Sequence, residues 1–409
     1  MNHLVTRRLL YLLATGTVFI MASGCSTPAP APEPTPRGDV VSSDVPEPFW
    51  DFDPKSEFTI NYSDVDGILS AMVIDVGRSS RQIIQPATAQ TGTRLKANVK
   101  RTTSNEGNRF RFEEFEDNEL YQQILRGIRS DLEAIPDQIP LEHFNRDEQL
   151  AYWLNLYNIS LLEKLVEIYP ERNLKQELVG RKSILDEKIL NVSGIPLSLD
   201  DIQHTILRWN YDSNPLVIYG LYQGVVGGPN IRNKAYTGEN VYRLLTDNAI
   251  EFINSNRGTY PAAGESFRVS GYYARNLGYF DNLDSHLKAH LLRYIEGVQE
   301  HELLDAKHLV PNLEDWTITD VYGTGTKISE SFARNPAAVM GSAPAIDDVW
   351  LANIVSTRGS RASGRVATMS PRERFGPEAT KFIEEFLRKN GINQKRTHLK
   401  IDGQIASNF

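Results

Sequence analysis

Several residues in this chain have types and spacings that could do chemistry. His204 lies between Ile202 and Ile206 on a helically spaced stretch, and an imidazole that titrates near neutrality can act as a general base. It can equally be a core histidine that donates to a carbonyl or carboxylate. Asn155 and Asn158 are three residues apart and so share one helix face; carboxamides there either hold a ligand or need partners in the interior. The run Gln223-Gly224-Val225-Val226-Gly227-Gly228-Pro229 is a glycine turn whose backbone N–H groups could meet an anion or a carbonyl oxygen, which makes Gln223, Gly224 and Gly228 binding candidates. It could also be a tight exit with no ligand. No Lys-Ser/Thr follows the glycines, so it is not a Walker loop, and no Gly-x-Ser-x-Gly elbow exists for a serine nucleophile. His286 and His290 have i, i+4 spacing, but no HExxH and no third ligand accompanies them, so neither metal nor cofactor is expected. Tyr272, Tyr273, Tyr279 and Phe280 line a groove or, by default, fill a core.

These residues must be positioned by helices and turns that the pattern suggests. Ser63 with Asp66 opens a helix through Ile68, Leu69, Met72 and Val76 that Gly77 stops; residues 78–107 read as a polar surface excursion; Phe110 to Phe115 alternates like a strand. Leu120, Ile124, Ile128 and Leu132 make a second helix face. Asn145 with Glu148 caps a third helix through Trp153 and Leu165, which Pro170 ends. Ser198 with Asp201 caps the His204 helix, Leu216 to Tyr222 reads as a buried strand, Thr237 starts a helix through Leu244 and Ile253, and Asp284 caps one through Leu291 and Val298. Beyond Asp320 the texture turns to Gly, Ser, Ala and Arg, with one helix at about 378–390. Arg358, Arg361 and Arg365 there suit a loop better than an anion site.

Composition bounds the rest. The chain has 409 residues, 40% hydrophobic and 23% charged, an ordinary globular balance with a formal charge of −8. No basic surplus exists to neutralise phosphates, so nucleic acid is not an expected partner. Arg7 and Arg8 precede an apolar run from Leu9 to Ala22, the order of a secretory signal over 1–24. Ala22-Ser23-Gly24-Cys25 resembles the lipobox of bacterial lipoproteins, which implies cleavage before Cys25 and acylation of its thiol, a membrane anchor built on lipid. Ser26 stands where such proteins carry Asp for inner-membrane retention, which favours the outer membrane, facing the periplasm. Residues 25–48, rich in proline, read as a tether. Cys25 is the single cysteine, so a lipidated protein has neither a free thiol nor a disulfide.

The helix after Asn145 carries Asn145-Arg146-Asp147-Glu148 and then Ala151-Tyr152-Trp153-Leu154-Asn155-Leu156-Tyr157-Asn158. With Leu197 to Arg208 and Tyr236-Thr237-Gly238-Glu239-Asn240, it resembles the family known as domain of unknown function 547. Fainter matches at Val269-Ser270 and Asp315-Trp316 extend the resemblance over roughly 57–320. Members of that family usually carry Cys-Gly-x-x-Ser-Cys-Pro where this chain has Gln223 to Pro229, so both cysteines are replaced, and Tyr279 stands where an acidic residue is frequent. The resemblance implies a fold remotely related to papain-like or transglutaminase-like cysteine enzymes, with the nucleophile gone.

The fold class expected is α/β of the helix-rich α+β kind: a single body of helices around a small sheet over 49–320, best matched over 118–320, with an extension at 321–409 packed on it. The function expected is a lipid-anchored envelope protein that binds a protein, peptide or glycan near His204 without catalysis. The alternative is a hydrolase or acyl transferase that uses His204 beside a cleft at the 223–229 turn.

Overall fold

A computed structural model describes residues 45–81, 103, 106–262, 264–321, 369 and 371–389. The signal-like segment, Cys25, most of the tether and the arginines at 358, 361 and 365 lie outside the described residues. The main helices are α1 (Ser63–Met72), α2 (Glu119–Glu133), α3 (Arg146–Ile168), α4 (Val241–Ile253), α5 (Val298–Asp305) and α6 (Pro377–Lys389). The strands are β1 (Val73–Ile74), β2 (Arg109–Phe110), β3 (Leu190–Val192), β4 (Ile195–Leu197), β5 (Thr259–Pro261), β6 (Ser266–Ser270) and β7 (His308–Leu313). Two are antiparallel pairs, β1-β2 and the hairpin β3-β4, and the third sheet has the order β5-β6-β7, with β5 antiparallel and β7 parallel to β6. The fold is a helix-rich α+β body.

Helix α3 is its axis. Every residue from Glu148 to Glu163 is buried, so the helix is covered on all sides, as a helix apolar around most of its circumference must be. Asn145 caps it, its side chain accepting from the Glu148 N–H at 2.9 Å. Glu148 does not close a capping box. Its carboxylate accepts from the N–H of Ile60 at 3.0 Å and of Gly238 at 2.9 Å, tying two distant segments to the helix start. Burial raises its pKa above the ordinary carboxylate value, and the two N–H groups oppose that shift.

Several further expectations change, the first being that the helix expected through Val76 ends at Met72, where β1 begins. Leu216 to Tyr222 is not a strand: Pro215–Gly220 is a 3₁₀ helix, capped by the Asn214 side chain accepting from Leu216 N–H at 3.0 Å. A short apolar run is compatible with either form, and the proline at its start favours the helical one. Only Arg109–Phe110 of the Phe110 region is strand, followed by a helical turn at Glu113–Glu116 that buries Phe115. Asn282, not Asp284, caps the later helix, accepting from Ser285 N–H at 2.7 Å. That helix ends at Leu291, and Gly297 at φ +77° opens α5, so Val298 belongs to a new helix and is 72% exposed.

Residues 371–389 lie on the body. Asn61 N–H donates to the Arg374 carbonyl at 2.6 Å, Ile60 bridges Phe375, and Ala379 and Ile383 of α6 are buried. The Arg374 guanidinium, itself 2% exposed, grips both carboxylate oxygens of Asp64 at 3.0 and 2.7 Å. Among the described residues no helix is long and apolar enough to cross a membrane.

Candidate functional site

The glycine turn is enclosed. Residues 221–230 are all buried, because the strand-like segment 315–319 runs along the turn. Val226 N–H donates to Thr317 O at 2.9 Å, Gly227 N–H to Asp315 O at 2.8 Å, Gly228 N–H to Val225 O at 3.1 Å, and Thr319 N–H returns a bond to Gly224 O at 3.0 Å. The backbone donors of Val226, Gly227 and Gly228 are therefore spent within the protein. Gly224 has φ +74°, and a Cβ there would lie 2.4 Å from Leu165 Cδ1, so both conformation and space require glycine.

Gln223 heads a buried chain of side chains. Its Nε2 donates to Tyr157 Oη at 3.0 Å, Tyr157 donates to Gln203 Oε1 at 3.2 Å, and Gln203 Nε2 donates to Asn276 Oδ1 at 2.7 Å. Asn276 ends it on the Tyr272 carbonyl at 2.9 Å. Burial raises the Tyr157 pKa, so the phenol stays protonated and can both accept and donate. This chain joins α3, the His204 turn, the glycine turn and the residues after β6. Gln203 and Asn276 were not singled out from the sequence; as amides inside apolar stretches they offered only the weak signal that a buried amide needs a partner.

Asn155 and Asn158 clamp backbone. Asn158 donates to Gly220 O at 2.9 Å and accepts from Tyr222 N–H at 3.0 Å, fixing the entry to the glycine turn. Asn155 does the same for Tyr236, through bonds of 2.7 Å to its carbonyl and 3.0 Å from its N–H. His204 lies on a π-type turn, Asp201–Leu207, with its Nε2 3.7 Å from Asp200 Oδ1 and its side chain 18% exposed. The Ser198 and Asp201 capping box at the start of that turn forms in both directions, at 3.1 Å and 2.6 Å. His286 and His290 part company. His286 sits 3.3 Å from Asp281, whereas His290 is buried with Nε2 3.0 Å from Tyr219 Oη, and that burial lowers its pKa to about 3. Tyr272, Tyr273 and Tyr279 are core residues.

An open pocket of about 480 Å³ lies elsewhere, on the outer face of the three-stranded sheet. Strand alternation sends Thr259, Phe267, Val269 and Leu309 into the core and leaves Tyr260 and Arg268, direct cross-strand partners, outside. Arg268 Nε donates to Asn312 Oδ1 at 2.8 Å, and its guanidinium stands 6.0 Å from the Tyr260 ring. Trp316 and Asp315 form a wall. Arg275 covers Trp316 at 4.5 Å, and Asp315 accepts from Thr103 Oγ1 at 2.6 Å and Thr317 Oγ1 at 2.6 Å. Behind the wall, burial and then the like charge of Arg257 hold the Arg109 pKa down to about 10.

The clamps of Asn155 and Asn158, the His204 turn and the glycine turn all fall within one segment. Residues 141–253 match the family model described as Protein of unknown function, DUF547. No curated protein and no solved structure matches the chain. The DUF547 segment runs from just before α3 to the end of α4, so it holds Gln223, Tyr157 and Gln203 but only Asn173 of the residues that line the pocket. The enclosed amide chain and the open pocket are thus built largely from different parts of the sequence.

Proposed function

We propose that the protein is a non-catalytic binding protein of the bacterial cell envelope, lipid-anchored through Cys25, most simply at the outer membrane, that takes a peptide or glycan ligand. The observation that carries this reading is Gln223. Where the family resemblance places a cysteine, this chain has a carboxamide that no proton transfer can make nucleophilic, and its hydrogen bonds to the Tyr157 hydroxyl and the Tyr222 carbonyl are those of a core residue. The polar pocket beside Arg268 supplies a place for a ligand away from that core.

A second reading, a hydrolase or acyl transferase using His204, is favoured by the Asp200 carboxylate 3.7 Å from its ring, which could orient an imidazole base. One experiment separates the two. Purified protein is incubated with p-nitrophenyl acetate and a peptide p-nitroanilide, with His204→Ala in parallel. The binding reading expects turnover at the buffer rate for both proteins, and turnover that falls in the variant would replace it with the enzyme.

A further inference from the structure

We infer that the pocket on the outer face of β5-β6-β7 is a carboxylate site, in which the Arg268 guanidinium grips the C-terminal carboxylate of a peptide. The inference rests on the binding reading above and chooses between its two ligand classes.

The acceptors around this hollow are engaged by the protein itself. Asp315 accepts from the hydroxyls of Thr103 and Thr317, each at 2.6 Å, and from the Thr317 N–H at 3.1 Å. Glu314 accepts from Trp316 Nε1 at 2.9 Å and lies 3.7 Å from both Lys175 Nζ and Arg275 Nη1. Asn312 Oδ1 takes the Arg268 Nε–H at 2.8 Å, Asn173 Oδ1 takes the Lys175 N–H at 3.1 Å, and Asn256 is engaged as well. Of the two arginines in the lining, Arg257 is paired with Glu251 and donates to Asn230 at 3.1 Å. Its charge is spent.

What is left over is a set of donors. Arg268 uses only its Nε, and among the described residues its Nη1 and Nη2 have no partner, nor have the amide nitrogens of Asn312 and Asn173. The Tyr260 hydroxyl alone can act both ways. Arg268 is also held in place before any ligand arrives, by its bond to Asn312 and by the ring of Tyr260, its cross-strand partner, at 6.0 Å. The Nη1 and Nη2 edge is a planar fork that matches the two oxygens of a carboxylate. A single unpaired charge suits a monoanion, whereas a phosphate monoester near −2, roughly, exceeds what one guanidinium cancels. A sugar fits less well, because its hydroxyl donors find few free acceptors here. The last residue of a peptide brings a carboxylate and carbonyl oxygens, which suit Arg268 and the two amide nitrogens. At about 480 Å³ the hollow has room for more than the carboxylate, and Leu313, Tyr260 and Trp316 offer a side chain an apolar wall.

The test is calorimetric titration of the full chain in detergent with two acetylated tripeptides, trialanine and dialanyl-leucine, each as the free acid and as the C-terminal amide. Acetate, galacturonate and inorganic phosphate are the contrasting probes, and Trp316 fluorescence provides a second readout. At least one free acid is expected to bind with a Kd between about 10 μM and 1 mM, and its amide about tenfold more weakly or worse. Arg268→Ala should weaken the free acid about tenfold or more, and Arg268→Lys, which keeps the charge without the fork, should fall between. The exposed Asn312→Ala should weaken it less, and Lys381→Ala on α6 should leave it unchanged, with circular dichroism confirming that all four fold. Equal affinity for acid and amide, or full affinity in Arg268→Ala, overturns the carboxylate contact while leaving a binding protein. Acetate, galacturonate or phosphate binding as tightly as the free acid overturns the peptide. If no probe binds up to about 10 mM the site is overturned, and the hydrolysis assay above still decides the binding reading.

Discussion

A Cβ built on Gly228 would lie 2.9 Å from the Cβ of Gln223. These are the two positions at which the family resemblance places cysteines, and disulfide-bonded pairs have Cβ atoms about 3.8 Å apart. The turn holds both positions in the interior and face to face, a relationship suited to a cross-link. In a Cys25→Ser background, Gln223→Cys with Gly228→Cys should close a disulfide on air oxidation, the turn widening by about 1 Å to reach ordinary geometry. Intact-mass analysis after alkylation reads it directly. Two alkylated thiols in the folded protein would mean that the turn cannot widen.

Glu148 should matter more than its place in a helix cap suggests. Its removal leaves the buried N–H of Ile60 and the partly buried N–H of Gly238 without acceptors, so Glu148→Ala should cost roughly 2–4 kcal/mol. Asn145→Ala, which removes the cap and a partly buried bond to the Ser56 carbonyl, should cost about 1–2 kcal/mol. Trp153→Ala in the fully buried centre of α3 should cost roughly 3–5 kcal/mol. Urea titrations of the three variants give the order, and equal losses for Glu148 and Asn145 would show that water reaches the orphaned groups.

The sequence marks these elements unevenly, for physical reasons. Helix α3 was legible because a cap, a long apolar pattern and Pro170 agree along one stretch of chain. The capping role read for Glu148 failed because the same spacing serves a carboxylate that reaches out to partners 88 and 90 residues away. Asn155 and Asn158 were recognisable as a pair needing partners, but which backbone they clamp depends on packing. The pocket was invisible: Arg268 meets Asn312 across 44 residues, through a parallel pairing that no local pattern announces.

Arg374 should fasten residues 371–389 to the body. Removing it leaves Asp64, 5% exposed, without its bidentate partner, and breaking a buried pair typically costs roughly 3–5 kcal/mol. Arg374→Ala should therefore increase amide hydrogen exchange across α6 far more than within α3. Arg374→Met combined with Asp64→Leu should recover part of the loss, since Asp64 is then no longer stranded, although buried Asp131, 3.7 Å from the guanidinium, still loses its arginine. Unchanged exchange in Arg374→Ala would assign the docking to Phe382, Ile383 and Ala379.

Cys25→Ser should abolish lipid labelling. The thiol is the acyl acceptor expected from the lipobox, and a second acceptor of that kind does not exist in a chain with one cysteine. Cells fed a clickable palmitate analogue should label the wild-type protein alone, and the variant should keep its N-terminal segment uncleaved. Equal labelling of both proteins would remove the anchor, and with it the envelope reading.

His290 should make stability depend on acid. The free imidazole titrates near 6.5, but burial among Tyr219, Phe280 and Tyr294 holds this one neutral down to about 3. Between those values the unfolded chain binds a proton that the folded chain refuses, so the contribution is complete above pH 6.5 and declines as pH falls toward 3. At pH 5 the expected loss from this residue is about 2 kcal/mol relative to pH 7.5. Burial also raises the Glu148 pKa, which adds its own acid dependence, so the informative quantity is a difference between proteins. His290→Phe keeps an aromatic ring in the cluster, and Tyr219 keeps the Tyr273 hydroxyl at 3.2 Å. The variant should be less stable than wild type at pH 7.5 and should lose about 2 kcal/mol less on going to pH 5. Parallel acid dependence in the two proteins would mean that His290 takes up its proton in the folded state, with water admitted to the aromatic cluster.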